Sequence, residues 1–465
     1  MAGVQNTISA VIILAAGKSK RMKTRRSKLL HPLLGRQMIL YPVELAKSLK
    51  PEKIIIVISP GSDELKELLL EEQVEFAVQE NPAGTADAVK SALPHLNVIR
   101  GSVLILYGDD PLLTAKTIRR LVRIHQKSGS RLSLLTAECP EPCAYGRIIR
   151  DKKGDIISIV EYVDATTEQR DIKEVNAGAY CVEIGFLKEA LSMVNTQNRQ
   201  REFYLTDMVE IAVKKGLRVQ TYTTADYTET LGVNSREELS RASRALQERI
   251  NREWMKKGVS IEIPEQVFIG PDVKIGLDTE LESGARLLGK TRIGKNCRIQ
   301  SGARIVDSII GDDVRILQGS IIEQSRIRSG AVIGPYARIR PGSIVGRNAK
   351  IGNFVELKKT VFGEKSSASH LTYLGDAIIG RRVNVGAGTI TCNYDGEKKH
   401  QTIIGDEAFI GSDSQFVAPV KIGKRAYIAS GSTITHNVPA DALVIARSRQ
   451  VIKPGWVKRR RINRH

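Results

Sequence analysis

Residues suited to phosphate chemistry occur at three points in the first part of the chain. The segment Leu14–Met22 (LAAGKSKRM) combines small residues with Lys and Arg, so its backbone can turn tightly and its cations can stabilise an anion. Gly84 and Thr85 open a helical pattern, which places free backbone amides at its positive end. Asp109 and Asp110 directly follow an apolar stretch, where carboxylates commonly hold magnesium beside phosphates. The three segments predict a site for a nucleotide and a divalent cation.

A second group of reactive residues lies far along the chain. His370 begins the stretch HLTYLGD, and Thr391–Gly396 (TCNYDG) follows it closely, just ahead of Lys398–His400. A lone histidine is usually structural. A histidine in a loop among Tyr, Asn and Lys is instead suited to proton transfer near neutral pH. We therefore expect a second catalytic site here.

The second half of the sequence is periodic, with an aliphatic residue at every sixth position and occasional slips of one. Neither an α-helix nor an alternating strand has this period. A parallel β-helix does, because each short strand turns one side chain into the axis and three strands close a coil. Two breaks, between Leu357 and Ile379 and between Val385 and Ile404, predict loops that carry the second reactive group. The periodic positions are Ile269, Ile275, Leu281, Leu287, Ile293, Ile299, Ile305, Ile310, Ile316, Ile322, Ile327, Ile333, Ile339, Val345, Ile351, Leu357, Ile379, Val385, Ile404, Ile410, Phe416, Ile422, Ile428 and Ile434.

The first half alternates short apolar stretches with helical patterns. This alternation predicts an α/β domain with a mostly parallel sheet, whose ligand cleft lies at the carboxyl ends of the strands. The expected strands are Ser9–Ala15, Lys53–Ser59, Glu75–Gln79, Val103–Tyr107, Arg131–Ala137, Ile156–Glu161, Ala177–Val182 and Arg218–Tyr222, with helices that include Asp63–Glu71, Gly84–Ala92 and Lys116–Ser128.

Helix signals also mark the boundary between the two halves. Ser235 can cap a helix and Gly258 can end it, so the residues between them predict one long linker. The length of 465 residues is compatible with about three structural units. The expected organisation is an α/β domain at 1–234, a linker helix at 235–258, a β-helix domain at 259–447 and a basic tail at 448–465.

Composition narrows the function classes. The apolar stretch 11–16 is too short for a signal peptide or a membrane span. Five scattered cysteines favour a reducing cytoplasm over a disulfide framework. Cys139 and Cys143 lack the second pair or the His cluster that a zinc site would need.

The formal charge of +20 suggests a nucleic-acid partner, but its distribution argues against one. The cations cluster in the first glycine-containing loop and in the tail, and neither cluster interleaves aromatic residues for base stacking. Small phosphate-rich substrates explain the loop equally well, and the tail can be a solvated end. The clusters are Lys18, Lys20, Arg21, Lys23, Arg25, Arg26 and Lys28, and Lys453, Lys458, Arg459, Arg460, Arg461 and Arg464.

In order and spacing, LAAGxxxRM with a following lysine, GTxxA and YGDxPL resemble the nucleotidyltransferases that activate sugar 1-phosphates. Further matches are Tyr145–Arg147, Val160-Glu161, Val175–Gly178, Tyr204–Asp207 and Gly232–Asn234. With the β-helix, nearly the whole chain resembles the bacterial bifunctional N-acetylglucosamine-1-phosphate uridyltransferase/glucosamine-1-phosphate acetyltransferase. The resemblance implies a Rossmann-like nucleotidyltransferase domain joined by a long helix to a left-handed β-helix of hexapeptide repeats.

The resemblance also implies roles for residues of the first domain. UMP would pass from UTP to N-acetylglucosamine 1-phosphate, releasing pyrophosphate and making UDP-N-acetylglucosamine for cell-wall and lipopolysaccharide precursors. Asp109 and Asn234 would hold Mg²⁺, while Gln79 and the loop at Ala15 would read the uracil. The implied nucleotide and sugar contacts are Leu14, Ala15, Ala16, Gly17, Arg21, Lys28, Gln79, Gly84, Thr85, Tyr107, Gly108, Asp109, Gly146, Glu161, Asn176 and Asn234.

Five positions of this domain depart from the family pattern. Ser19 and Lys20 stand where Gly-Thr is usual, Ser27 where Pro precedes the lysine, Ala86 where a Gly follows Gly-Thr, and Asp87 where a His is common. These changes bear on nucleotide affinity and base preference, with thymine the alternative base. Individual residues also have plain structural interpretations: Asn234 as a helix cap, Asp110 as a solvated neighbour of Asp109, and Glu161 as an exposed strand residue.

In the β-helix the matching HLTYLGD and TCNYDG motifs imply acetyl transfer. His370 would take a proton from the amino group of glucosamine 1-phosphate, which attacks acetyl-CoA. A homotrimer would form the clefts between subunits, and the tail with Trp456 would reach a neighbouring cofactor. Arg340, Lys358, Tyr373, Asn384 and Lys399 would bind the sugar phosphate, and Asn393, Tyr394, Ser412, Ser430 and Arg447 the acetyl-CoA.

Two alternatives remain at this point. A single-activity sugar-nucleotide pyrophosphorylase could carry a β-helix without acetyl transfer, although His370 and the Asn393-Tyr394 pair argue against that. A non-catalytic basic scaffold could share both folds, although Lys28, Asp109 and Asn234 argue against that one. Asn384 could be an inward polar residue of a coil, and Arg447 a plain surface cation. The expected protein has no nucleic-acid or membrane partner.

Overall fold

A computed structural model describes residues 8–17, 20–24, 26–96, 101–140 and 143–462. Of the basic loop, Lys18, Ser19 and Arg25 lie outside these ranges, as does Arg464 of the tail, and the description excludes the Lys20 side chain. The chain forms two compact units, Met1–Leu246 and Gln247–His465, each considered separately. No helix among the described residues combines the length and apolarity of a membrane crossing.

The first unit is built around a twisted α/β sheet. Its elements are β1 (Ala10–Leu14), β2 (Pro32–Leu33), β3 (Arg36–Gln37), α1 (Leu40–Ser48), β4 (Lys53–Ile58), α2 (Asp63–Leu68), β5 (Glu75–Val78), α3 (Thr85–Ala92), β6 (Ser102–Tyr107), α4 (Ala115–Ser128), β7 (Leu132–Glu138), β8 (Arg147–Arg150), β9 (Ile156–Val160), α5 (Thr167–Arg170), β10 (Glu174–Glu183), α6 (Ile184–Met193), α7 (Asp207–Lys214) and β11 (Val219–Thr224).

Strand order brings the predicted phosphate motifs to one edge of this sheet. The order is β11-β7-β10-β6-β1-β4-β5, with β8 attached to β10 and β9 attached to β8. β1 pairs in parallel with β4 and β6, so Leu14 and Tyr107 are register partners at the carboxyl ends. β10 is antiparallel to both neighbours, and the rest of the path is parallel. The apolar centre strands are buried on both faces, as a sheet covered by helices requires.

Helix α8 (Arg236–Lys256) links the two units, and the division falls within it. Its start is a capping box, because Ser235 Oγ accepts from the Glu238 amide at 3.1 Å and Glu238 accepts from the Ser235 amide at 2.9 Å. Ser235 is therefore the cap, and the side chain of Asn234 is free for another role.

The second unit is a parallel β-helix with three faces. Residues 259–447 are described throughout, and their strands form sheets of eleven, ten and nine strands. We call them the first sheet (Ser260–Ile261 to Leu443–Val444), the second sheet (Phe268–Ile269 to Thr433–Ile434) and the third sheet (Lys274–Ile275 to Val420–Ile422). Every predicted periodic position lies in one apolar column on the axis. This confirms the expected coil architecture.

The first predicted break in the coil is wrong. Between Leu357 and Ile379 the coil continues, and Phe362, Ala368 and Leu374 occupy the axis. The aliphatic pattern did not reveal the continuous coil, because the axis positions 362 and 368 hold an aromatic and a small residue. His370 consequently ends the strand Ser367–His370 of the first sheet. The second break is real, since residues 393–401 form a loop closed by a bridge between Tyr394 and Lys399.

Candidate active sites

The strand ends of the first unit enclose a cleft of about 640 Å³. Most of the predicted nucleotide contacts line it, together with residues that the motifs did not indicate, among them Pro82, Gln200 and Glu202. The predicted lining residues are Leu14, Ala15, Ala16, Gly17, Arg21, Lys28, Gln79, Gly84, Thr85, Tyr107, Asp109 and Asn234. Gly108 packs behind the cleft, where its amide donates to the Leu14 carbonyl at 2.9 Å.

At the floor of the cleft one ammonium joins two oxygen ligands. Lys28 is only 8% exposed, and its Nζ donates to Asp109 Oδ2 and, at 2.5 Å, to Asn234 Oδ1. Ser27 caps the short helical turn that carries Lys28, since its Oγ accepts from the Leu29 amide at 3.3 Å. Serine in place of proline therefore supports the local turn here.

These contacts show that the donor set suits a hard cation. A carboxylate oxygen and an amide oxygen converge on one positively charged group, and oxygen donors are those that Mg²⁺ prefers. Within the described ranges there is no cluster of three or more His, Cys, Asp or Glu that could hold a metal. Asp109 and Asn234 are therefore the residues that would hold a magnesium ion.

Asp110 differs from its neighbour in environment. Burial raises the pKa of its carboxyl well above the usual value, and the adjacent Asp109 charge adds to the effect. Asp110 is half-buried and is therefore not a fully solvated neighbour of Asp109.

Gly84 lets a loop dock tightly at the entrance of α3. Its φ is +126°, and a Cβ there would lie 2.4 Å from the Phe203 carbonyl oxygen. Thr85 Oγ1 accepts from the Leu205 amide at 2.9 Å, which ties the same loop down. Gly84 and Thr85 therefore anchor the segment that bears Glu202 at the cleft.

The predicted sugar contacts form a second group beyond Tyr107. The backbone N–H of Asn176 donates to the Gly146 carbonyl at 2.9 Å, and a Cβ on Gly146 would lie 3.4 Å from Glu161. Burial raises the pKa of Glu161, which accepts from Thr206 at 3.0 Å. The interpretation of Glu161 as an exposed strand residue is therefore wrong.

In the β-helix the corner between the first and second sheets carries His370. Its Nδ1 lies 2.7 Å from Asn353 Oδ1 on the preceding coil. Backbone hydrogen bonds connect the same corner of successive coils. They join Leu371 to Gly388, Ala387 to Asp413 and Ser412 to Gly431. Arg447 donates to the Ser430 carbonyl at 2.6 Å. Ser412, Ser430 and Arg447 therefore follow His370 along one edge.

Several cationic side chains lie along the other edge of the second sheet. Arg340 pairs with Glu356 at 2.8 Å, and the neighbouring Lys399 ammonium lowers the pKa of Lys358. Two adjacent ammonium groups in solvent form a ready binding point for a phosphate.

Asn393 lies with these cations and not with Ser412. It donates to Asp376 at 2.6 Å, and both its Nδ2 and the Tyr373 hydroxyl would contact a Cβ on Gly375. Tyr394 is exposed in the adjoining loop. Asn384 is exposed on the first sheet and its Oδ1 accepts from Ser367 at 3.4 Å, so it is not an inward polar residue.

Comparison with known proteins identifies both units. Residues 11–156 match the MobA-like NTP transferase domain, and residues 324–359 and 401–436 match the bacterial transferase hexapeptide (six repeats). The chain is 45% identical to the bifunctional protein GlmU of Trichlorobacter lovleyi over 98% of its own length and 99% of the relative. It is 46% identical to that of Pelobacter propionicus (96% and 97%) and to that of Geobacter sulfurreducens (97% and 99%). The chain therefore belongs to the GlmU family of bifunctional transferases, with a nucleotidyltransferase unit and a hexapeptide transferase unit on one polypeptide.

Proposed function

We propose that the β-helix acetylates glucosamine 1-phosphate with acetyl-CoA and that the α/β unit then transfers UMP from UTP to the product. The two activities are uridylyl transfer and acetyl transfer, which the two matched domains serve. The main support is that reactive side chains meet within each unit. Lys28 contacts Asp109 and Asn234 in the first unit, and His370 contacts Asn353 in the second.

In the α/β unit a phosphate oxygen of N-acetylglucosamine 1-phosphate attacks the α-phosphorus of UTP, and pyrophosphate leaves. This reaction needs positioning and charge neutralisation more than a protein nucleophile. Lys28 supplies a buried cation for the triphosphate, and Arg21 a second one at the cleft lining. Asp109 and Asn234 would hold Mg²⁺, which neutralises phosphate charge when bound.

The uracil and the amino sugar are recognised by a further set of groups. The loop Leu14–Gly17 and Gln79 face the uracil, while Gly146, Glu161 and Asn176 bind the amino sugar. Support comes from the position of the loop and Gln79 in the cleft lining and from the hydrogen bond that unites Gly146 with Asn176.

In the β-helix His370 acts as general base for acetyl transfer. An amide oxygen can only accept, so Asn353 holds the hydrogen on Nδ1 and leaves Nε2 unprotonated. Nε2 takes the proton from the 2-amino nitrogen as that nitrogen bonds to the thioester carbonyl carbon, and the carbon–sulfur bond then breaks to release CoA.

The amino-sugar phosphate and acetyl-CoA bind at opposite edges of the second sheet. Arg340, Lys358 and Lys399 bind the phosphate of the amino sugar, with Tyr373 and Asn393 beside the sugar and Asn384 contributing from the first sheet. Acetyl-CoA extends from His370 past Ser412 and Ser430 toward Arg447. Four coil steps at about 4.8 Å each give roughly 19 Å, enough for an extended cofactor arm.

We further propose a homotrimer in the bacterial cytoplasm. Ile344, Val361, Ile378 and Ile403 are partners on consecutive strands of the third sheet, and their side chains face outward. Val361 is 42% and Ile378 39% exposed, which gives an apolar stripe that a neighbouring subunit would cover. The tail with Trp456 would reach that neighbour's cofactor. The described cysteines form no disulfide with one another, which is compatible with a reducing compartment.

The test is product analysis with glucosamine 1-phosphate, acetyl-CoA, UTP and magnesium. Release of both free CoA and pyrophosphate, with UDP-N-acetylglucosamine as final product, is expected. No CoA release, with pyrophosphate appearing only after N-acetylglucosamine 1-phosphate is added, would leave only a pyrophosphorylase. CoA without pyrophosphate would refute the uridylyl site.

A further inference from the structure

The amide of Gln79 is held in one orientation by two groups that can only accept hydrogen bonds. Gln79 is 4% exposed, and its Nε2 donates to Asp87 Oδ2 at 2.7 Å and to the Gly84 carbonyl at 3.1 Å. Turning the amide over would place its oxygen against a carboxylate and a carbonyl, a contact of like partial charges. The NH₂ group therefore has to face Asp87.

This orientation determines what Gln79 offers to a ligand. Gln79 lines the cleft, and none of the described residues donates a hydrogen bond to its Oε1. With the nitrogen engaged, the carbonyl oxygen is the amide atom left for a nucleobase. Gln79 thus presents an acceptor.

Asp87 is itself held in place as an acceptor. It lies in the first turn of α3, where the positive end of the helix favours a carboxylate. The same Oδ2 also accepts from the Ala83 amide at 3.4 Å. The oxygen that faces Gln79 thus already accepts from a backbone amide, which fixes the direction of the bond to Gln79.

We infer that Asp87 determines base selection at the uridylyl site by making Gln79 an obligatory acceptor. The inference rests on the proposed role of the cleft in UTP binding. Uracil and thymine carry a hydrogen on N3 and can donate it to Gln79 Oε1. Cytosine has a bare N3, so two acceptors would oppose each other in a buried site, and such mismatches cost large factors in rate. Asp87 acts through Gln79 and is a positioning residue.

The deciding experiment compares kcat/KM for UTP and CTP, with N-acetylglucosamine 1-phosphate as second substrate. Asp87→Asn is isosteric and can donate from Nδ2 to Gln79 Oε1, which lets the amide turn. We expect the UTP-over-CTP preference to fall by about 10- to 100-fold. Asp87→Glu keeps an acceptor and retains the preference. Glu80→Gln, an exposed acid beside Gln79 in sequence, leaves it unchanged.

The outcomes separate this inference from the proposed function. An unchanged ratio in Asp87→Asn, or an equal loss in Asp87→Glu, overturns the role of Asp87. If Asp87→Asn turns over neither nucleotide, calorimetric binding of UTP and CTP gives the same ratio and the same decision. A wild-type protein that releases no pyrophosphate from UTP refutes the proposed function instead.

Discussion

His370 Nδ1 lies 2.7 Å from Asn353 Oδ1, and the two residues are register partners on adjacent coils of the first sheet. The coil beneath it therefore orients His370, the proposed general base. The amide fixes the ring tautomer in the way that an outer partner fixes a metal-bound histidine.

Loss of this amide should slow acetyl transfer without affecting uridylyl transfer. We expect Asn353→Ala to lower kcat by about 10- to 100-fold, since general-base catalysis contributes roughly 10²- to 10⁴-fold and part of it survives. Asn353→Asp keeps an acceptor and should retain most of the rate. The assay is CoA release, and His436→Ala, an exposed histidine of the same unit, is the control. Asn353→Ala as active as this control would contradict the role of Asn353.

Lys28 should matter for uridylyl transfer alone. Lys28→Met removes a buried cation but keeps the aliphatic stem, so we expect pyrophosphate release to fall by about 100-fold. Lys90→Met, on the exposed side of α3, should have no effect. CoA release should be normal in both variants. A Lys28→Met enzyme with wild-type turnover of UTP would exclude Lys28 from triphosphate binding.

The Asp207 carboxyl should lower the free energy of unfolding of the α/β unit at neutral and alkaline pH. Burial raises its pKa to about 6, with Glu210 and Asp164 adding to the effect. As pH rises above the pKa of Asp207 in the unfolded chain, the unfolded chain ionises first. The folded state therefore loses stability up to about pH 6, and the loss stays constant at higher pH. Asp207→Asn removes this penalty. Because Asp207 is half-buried, we expect a gain of only about 1 kcal/mol at neutral to alkaline pH.

Thermal melting at pH 5 and pH 8 measures this gain. The increase in Tm for Asp207→Asn should be larger at pH 8, where the wild-type carboxylate is fully charged. Glu67→Gln, an exposed acid on α2, should change neither value. Equal gains at both pH values would show that the effect is not electrostatic.

The apolar stripe on the third sheet should hold subunits together. The wild-type assembly should have three times the chain mass of 51.3 kDa by light scattering. Ile378→Asp places a charge in the stripe, so we expect smaller species and loss of acetyl transfer with uridylyl transfer retained. Ile263→Asp changes an exposed aliphatic residue outside the stripe and should remain trimeric. A trimeric Ile378→Asp protein would assign the contact to another face.

The coil could be predicted from sequence because its axis accepts only apolar side chains at a six-residue spacing. The prediction was wrong where Phe362 and Ala368 replace an aliphatic residue on the axis, so a continuous coil was interpreted as a loop. Composition alone does not reveal that a small or an aromatic residue can fill the same column.

The site could be predicted as far as motifs mark strand ends. Lys28, Asp109 and Asn234 meet as expected, although more than 80 residues separate the first two. Contacts that depend on packing were missed, namely Asn353 beneath His370 and Asp87 against Gln79. The coil repeat could have indicated the contact of Asn353 with His370, because the 17 residues that separate them make one coil at this point. No local pattern indicates the second.

The most direct test of two independent sites uses Asp109→Asn and His370→Ala side by side. We predict that Asp109→Asn releases CoA but no pyrophosphate, and that His370→Ala releases pyrophosphate only when N-acetylglucosamine 1-phosphate is supplied. Mixing the two variants should restore UDP-N-acetylglucosamine from glucosamine 1-phosphate, because the acetylated sugar can pass through solution. Persistent CoA release by His370→Ala, or loss of both reactions in either variant, would contradict the account.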